Sequence, residues 1–533
     1  MARWFGSAAV LVALVGLVGI PLYHLGRVGT EELTGIGPGT LERAVAGSAI
    51  FNTAWTGLAV AVIAVAVGVW LAFVTERWHP MRSGWLRVAI MLPIVVPGFV
   101  SAMGFVGAFG TGGLGDDLVG FAIPGIFGPL GIVMVLSIEA MPLAYLIVVA
   151  ALRTRAEPDL ERAARVHGAS GRVAATTVVL PLLAPALLGS AALVFVASIN
   201  AFGAPAVLGT PAGFATVTTR IYQDLARSAR PEAFSRAVLL ALLLVAVALL
   251  FVLVAERLLT GMGTITRTAE PPGQVIHRCR GRRAAFVAWV VVLVATVLPL
   301  VALVLTSLTR AVGLAPVPAN WTTANFAEAL QGRFAGALGR SVVLSVAAAV
   351  VVMALGAAVT AIRHGRFGRL SRTAVLLTFA VPGSTLAIAI LLAYGASLRG
   401  TLALILVAYV AKLWGVGHRI IEGSAAAIPP DLYRAARAGG ASGWTATRTV
   451  TAPLLAPAIL GGGLLVFSFA FHELTMSSLL YGPGTDTLAV VVLNLQQLGD
   501  VPVSAALAVL LTVPLLVVAI PLLVGRRRWR GGA

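Results

Sequence analysis

Ionisable side chains are scarce in the apolar parts of this chain, so each one found there is a candidate for chemistry. Glu139 and Lys412 both fall inside long apolar runs. A charge at the centre of a membrane helix costs roughly 2.5–3.5 kcal/mol on insertion scales, so each needs a partner or a wet cavity. A shift of 272 residues carries Glu139 onto Ala411, next to Lys412. The expectation is that the two charges meet or line one cavity. The competing reading has Lys412 snorkelling to the inner interface and Glu139 taking a backbone or hydroxyl partner. The same shift superposes Asn200 on His472, Ala201 on Glu473 and Phe202 on Leu474, towards the outer ends of two apolar runs. These are candidates for lining an exit path, with helix-end capping and packing as the alternative. His472 and Glu473 are two ligands with no visible third, so no metal site is expected.

Lys412 is the single lysine of the chain, and Ala411 and Leu413 flank it. A phosphate-binding loop needs Gly-Lys-Ser/Thr, so this chain is expected to bind no nucleotide and no other cofactor, and not to be an enzyme. A membrane-embedded enzyme would also need a clustered nucleophile or His/Asp/Glu motif, and the sequence has none. Energy for any transport must come from a partner or from an ion gradient. Cys279 is the only cysteine, so no intrachain disulfide can form; in the basic stretch HRCRGRR it reads as an ordinary cytoplasmic thiol.

A polar segment that occurs twice positions the rest. Residues 159–188 read DLERAARVHGASGRVAATTVVLPLLAPALL, and residues 431–460 read DLYRAARAGGASGWTATRTVTAPLLAPAIL, without a gap. Asp159 and Asp431 follow prolines and are expected to N-cap a short Ala-rich helix. Gly168 and Gly440 should break that helix, with Gly-Ala-Ser-Gly as a turn. A second amphipathic stretch then leads to Pro181 and Pro453. Small alanines permit close approach, and the flanking arginines supply charge. A lipid-surface role and a partner-docking role are comparable on these grounds; the duplication favours docking to a two-fold symmetric partner.

These segments sit in a chain of 533 residues that is 59% hydrophobic and 11% charged. That composition belongs to a polytopic membrane protein. Apolar runs fall near 6–25, 49–75, 88–110, 124–152, 177–208 and 236–258, then 284–308, 341–362, 373–397, 401–421, 450–480 and 503–525. The first reads as a retained span, since no convincing cleavage site follows Tyr23. The expected fold is all-α, with about twelve transmembrane helices in two parallel six-helix repeats. Its domains are a first half at 1–258, a basic cytoplasmic linker at 259–283 and a second half at 284–533. Val96-Pro97-Gly98 and Val381-Pro382-Gly383 should break spans three and nine, and Pro97 and Pro382 are path candidates on that ground. A plain packing kink is the alternative. In the outer loop at 309–340, TTANFAEAL reads as a short helix capped by Thr322 or Thr323.

The formal charge of +18 does not indicate nucleic acid, because the arginines form no face and sit in short loops. With the N-terminus inside, 27 of the 37 arginines fall on the inner side, Arg3 and the RRRWR tail among them. This puts both termini and both repeated segments in the cytoplasm.

The repeated segment resembles the cytoplasmic signature of binding-protein-dependent ABC importer permeases: Glu-Ala-Ala, three residues, Gly, nine residues, then Ile, any residue and Leu-Pro. Here the copies are Arg162-Ala163-Ala164, Gly168, Val178 and Pro181, and Arg434-Ala435-Ala436, Gly440, Val450 and Pro453. The family's Glu is Arg in both; Glu161 precedes it in the first copy and Tyr433 in the second. Any ion pair the family makes through that Glu is therefore in question. FVASINAFGAPAVLG (195–209) and FHELTMSSLLYGPGTDTLAV (471–490) resemble the two halves of fused ferric-iron importer permeases. The resemblance implies a multi-pass permease of the bacterial inner membrane. It would be worked by two copies of a cytoplasmic ATP-binding subunit that hold the ATP-Mg, and fed by an extracytoplasmic solute-binding protein. Ferric iron is the leading solute, with thiamine, phosphonate or polyamine as alternatives. An ion-coupled secondary transporter is the rival of another class.

Overall fold

The computed structural model describes residues 10–35, 47–78, 84–156, 158–228, 230–260, 278–315, 317–362, 371, 374–375 and 378–525. Arg3, the RRRWR tail, most of the linker expected at 259–283 and the Cys279 side chain lie outside the described residues. Among those described there is no strand, only one isolated antiparallel bridge between Thr309 and Trp321.

The first half gives α1 (Val10–Glu32), α2 (Ser48–Trp78), α3 (Gly84–Val95), α4 (Gly98–Phe109), α5 (Leu114–Val119), α6 (Pro129–Thr154), α7 (Pro158–Val166), α8 (Gly171–Ile199), α9 (Gly203–Leu208), α10 (Val217–Ala226) and α11 (Pro231–Thr260). The second gives α12 (Arg282–Leu308), α13 (Ala324–Ala329), α14 (Gly332–Ala361), α15 (Gly383–Leu398), α16 (Leu402–Ala426), α17 (Pro430–Ala438), α18 (Gly443–Phe471), α19 (Thr475–Leu480), α20 (Leu488–Leu498) and α21 (Val501–Gly525). Ten stretches among the described residues are long and apolar enough to cross a membrane. The shorter α15, with α21, brings the spans to six in each half. The fold is thus all-α and polytopic, with two repeats that run in the same sense.

Prolines shape the spans in two ways. In four spans a π turn runs on into a helix whose second residue is proline: Val15–Gly19 before Pro21, Ala175–Val179 before Pro181, Leu293–Val297 before Pro299, and Thr447–Thr451 before Pro453. Proline lacks an N–H and its ring strikes the carbonyl four residues back; the wide turn removes that clash without ending the helix. At Pro97 and Pro382 the helix does end. Both residues are extended (φ −65°, ψ 145° and φ −60°, ψ 149°) and each is the N-cap of a new helix, α4 or α15.

The spans differ from the sequence expectation at their ends. The runs expected at 177–208 and 450–480 start earlier, at Gly171 and Gly443, and stop at Ile199 and Phe471. The short separate helices α9 and α19 follow. Ser170 and Ser442 set the early starts: their hydroxyls accept from the N–H groups of Val173 (3.3 Å) and Thr445 (3.1 Å). The helix expected in TTANFAEAL is α13; Thr322 supplies a hydroxyl acceptor to Ala324 N–H at 3.1 Å.

The described helices group into two compact units, and neither is a continuous half of the chain. One comprises 1–41, 224–245 and 331–491; the other comprises 42–223, 246–330 and 492–533. In the first, α14 packs on α16 and α18, and α1 packs on α15. Its α14–α16 crossing is close: a Cβ on Gly356 would lie 2.7 Å from the carbonyl carbon of Gly417, so only glycine fits. Tyr409 and Trp414 are buried at its centre, and the Trp414 indole donates to Thr378 Oγ1 at 3.0 Å. In the second unit α2 packs on α6 and α8, and α12 packs on α4 and α21.

Candidate functional site

The two repeated loops have the same backbone. α7 and α17 each begin on proline, Pro158 and Pro430, so Asp159 and Asp431 sit within the first turn. They do not N-cap, contrary to the sequence expectation, because the prolines already occupy the first helical position. Each aspartate accepts from the arginine three residues on, Arg162 Nη1 at 2.8 Å and Arg434 Nη1 at 3.1 Å. At the far end, Gly168 N–H reaches Arg165 O (3.0 Å) and Ala169 N–H reaches Ala164 O (3.1 Å). Gly440 to Arg437 and Ala441 to Ala436 repeat this at 3.1 Å each. This is a Schellman closure, and it requires the left-handed φ of +88° at Gly168 and +85° at Gly440.

The surfaces of the loops are mostly open. Ala163 and Ala435 are exposed, while Ala164 and Ala436 are half-buried. Apolar side chains stand out among the charges: Leu160 and Val166 on the first loop, Leu432 and Trp444 on the second. Pro181 and Pro453 are exposed on the first regular turn beyond the π turns. Exposed apolar groups interleaved with arginine on two copies of one shape suit a protein partner.

Glu161 is the exception, since it alone among the described side chains of α7 is buried. It acts electrostatically on Arg77, itself buried at the end of α2, whose Nη2 donates to Ala156 O. The neighbouring Glu76 accepts from Arg153 Nε (2.9 Å) and Nη2 (3.1 Å) and pairs with Arg87 at 3.0 Å. The sequence reading missed this charge lattice because its arginines counted only as inner-side charge; the signal was an acid, Glu76, at the very end of a span.

Deeper in the spans, the two isolated charges hold equivalent places. Lys412 Nζ donates to Val381 O at 2.6 Å, the last carbonyl before Pro382. Glu139 lies against Gly98, the first residue of α4: a methyl group there would sit 2.5 Å from Glu139 Oε2. Each charge thus serves the Pro-Gly break of its own unit. The Lys412 amine meets a freed carbonyl, and the Glu139 carboxyl lies at a helix N-terminus, where N–H groups are unsatisfied.

Asn200 and His472 are the C-caps of α8 and α18. Phe202 is buried as the N-cap of α9, edge-on to Tyr222 with ring centroids 5.2 Å apart. Glu473 accepts from Met476 N–H (2.9 Å) and Ser477 N–H (3.0 Å), capping α19. Tyr409 OH and Ser477 Oγ lie 2.7 Å apart beside it, a pair with no periodic signal in the sequence. Among the described residues no cluster of three His, Cys, Asp or Glu side chains could hold a metal ion.

A multi-pass membrane protein with two parallel six-span repeats and a glycine-closed polar loop in each has the form of a transporter permease. The chain belongs to the family described as binding-protein-dependent transport system inner membrane component, whose profile matches residues 32–262 and 351–527. It is an ABC importer permease of the fused, two-half type. It is 26% identical over 520 residues (92% of this chain, 89% of the other) to the probable ABC transporter permease protein y4fN of Sinorhizobium fredii. It is 26% identical over 454 residues (83% and 82%) to the Fe(3+)-transport system permease protein FbpB 2 of Haemophilus influenzae. The putative 2-aminoethylphosphonate transport system permease protein PhnV of Salmonella typhimurium is 29% identical over 241 residues, 44% of this chain and 90% of its own length.

Proposed function

We propose that α7 and α17, with the turns that follow them, seat two copies of a cytoplasmic ATP-binding subunit, and that this chain carries solute while the partners hold ATP-Mg and hydrolyse it. The observation that carries the reading is the twofold repetition of one closed loop, with Arg162 and Arg434, Ala163 and Ala435, and apolar Leu160 and Leu432 at matching positions. Two equal sockets suit a partner present twice. Both termini then lie in the cytoplasm, in keeping with the arginine bias. A solute-binding protein delivers cargo at the opposite side, where Asn200, Phe202, His472 and Glu473 end their spans. Closure of the ATPases biases the spans between two states, with Pro97 and Pro382 as the flexible points and Glu139 and Lys412 holding the broken ends.

The cargo assigned is ferric iron, the solute named for the FbpB 2 relative, which aligns across most of both halves. PhnV, which aligns with less than half of this chain, makes 2-aminoethylphosphonate the second choice. Radiolabelled uptake of both by cells expressing the chain with its co-purifying partners decides between them. Loss of uptake on ATP depletion, with the ion gradient clamped, is expected; uptake that follows the gradient instead would establish the ion-coupled alternative.

A further inference from the structure

The two loops share a backbone but not an anchor. In the first unit to carry one, residues 42–223 and their companions, α7 is tied to the bundle through buried charge. Glu161 is 9% exposed and Arg77 is 8% exposed. Arg77 rises from the end of α2 and donates to Ala156 O, the turn that joins α6 to α7. Its neighbour Glu76 holds Arg153 of α6 and Arg87 of α3. Among the described residues, the places that match Glu76, Arg77 and Glu161 carry no charge, while His418 Nε2 on α16 lies 3.6 Å from Glu422 Oε2. Thr75, hydrogen-bonded to Tyr145 OH at 3.0 Å, has its counterpart in Thr360, hydrogen-bonded to His418 Nδ1 at 3.0 Å. After Thr75 come Glu76 and Arg77; after Thr360 come Ala361 and Ile362. Glu161 is matched by Tyr433, which is exposed and lies over Gly443.

We infer that Arg77 is a positioning residue that locks the first coupling loop to α2, α3 and α6, so that the two loops of one chain transmit partner movement unequally. The first moves as a rigid extension of its helices; the second, with exposed Tyr433 in place of buried Glu161, moves more freely. The inference rests on the docking of ATPases at both loops. Arg77 is buried, and departure of the turn would strip its guanidinium of the Ala156 carbonyl, so opening of the loop is opposed. A rigid loop passes displacement on, whereas a loosely held one absorbs part of it as local opening.

Amide hydrogen exchange of the chain in nanodiscs, alone and with its co-purified ATPase, tests this. In the chain alone, amides of 158–168 should exchange about tenfold more slowly than those of 430–440, since local opening must break the buried hydrogen bond from Arg77 to Ala156 O in one loop only. Arg77→Gln should abolish that difference without raising exchange in α14 or α16, and Arg77→Lys should restore part of it. In the complex trapped with ATP and vanadate, wild type should show altered exchange in the first loop and at the inner end of α2; Arg77→Gln should keep the first and lose the second. Arg27→Gln, which removes an exposed pair with Glu31, should change nothing. Equal exchange in the two wild-type loops, or a trapped Arg77→Gln complex identical to wild type, would overturn the lock. If trapping protects neither wild-type loop, the docking reading fails, and the comparison in the chain alone still decides the lock.

Discussion

Lys412 Nζ donates to the carbonyl of Val381 at 2.6 Å, so the only lysine of the chain caps the helix that ends at Pro382. In an apolar setting a carbonyl stripped of its helical donor costs free energy until something replaces the N–H. Lys412→Met keeps the bulk and removes the donor. It should destabilise the purified protein by about 1–3 kcal/mol, read as a lower unfolding midpoint in detergent. An unchanged midpoint would show that the bond contributes nothing.

Gly98 and Glu139 make the matching arrangement in the other unit. Gly98→Ala places a methyl group 2.5 Å from Glu139 Oε2. The side chain must move or the helix must shift, at a cost of about 1–3 kcal/mol. Glu139→Ala removes the obstacle, so the double variant should be more stable than the sum of the two single losses. A double-mutant cycle on thermal stability measures this; strict additivity would mean that the two residues do not interact.

Gly168→Ala and Gly440→Ala each force a Cβ into the left-handed region at φ +88° and +85°. The penalty is about 1–2 kcal/mol per site, and it falls on the closing turn of each loop. Both variants should lower solute uptake while leaving the amount of chain in the membrane nearly unchanged. Quantitative blotting alongside initial uptake rates separates the two effects.

Glu473→Gln keeps the shape of the side chain but replaces one of the two oxygens that accept from Met476 and Ser477 N–H with an NH2 group. With one acceptor oxygen fewer, the start of α19 should loosen. Faster hydrogen exchange at Met476 and Ser477 is the expected result. Glu473→Asp, too short to reach both donors, should behave similarly.

Much of this was legible from residue types. Gly168 and Gly440, thirteen residues before a proline within a repeated segment, announced the loop closure, and Pro97 and Pro382 announced the breaks. The breaks after Ile199 and Phe471 were marked by Asn200 and His472, for which helix-end capping is the alternative reading, and both are the C-caps of their spans. Other features were hidden for physical reasons. Asp159 and Asp431 looked like caps, yet a preceding proline prefers the first helical position and moved them inward. Lys412 found a main-chain carbonyl, which no side-chain pattern can reveal. The mixing of chain segments in each compact unit depends on contacts between distant helices, which local periodicity does not encode.

The central claim is that both loops are sockets for the ATP-binding subunit. Single cysteines placed at Val166 and at Ala438 in a Cys279→Ser background, treated with a short bifunctional reagent in native membranes, test it most directly. Each should cross-link to the ATPase in high yield, and the doubly substituted chain should capture two copies. A chain that captures the ATPase through neither position, while still transporting solute, would contradict the account.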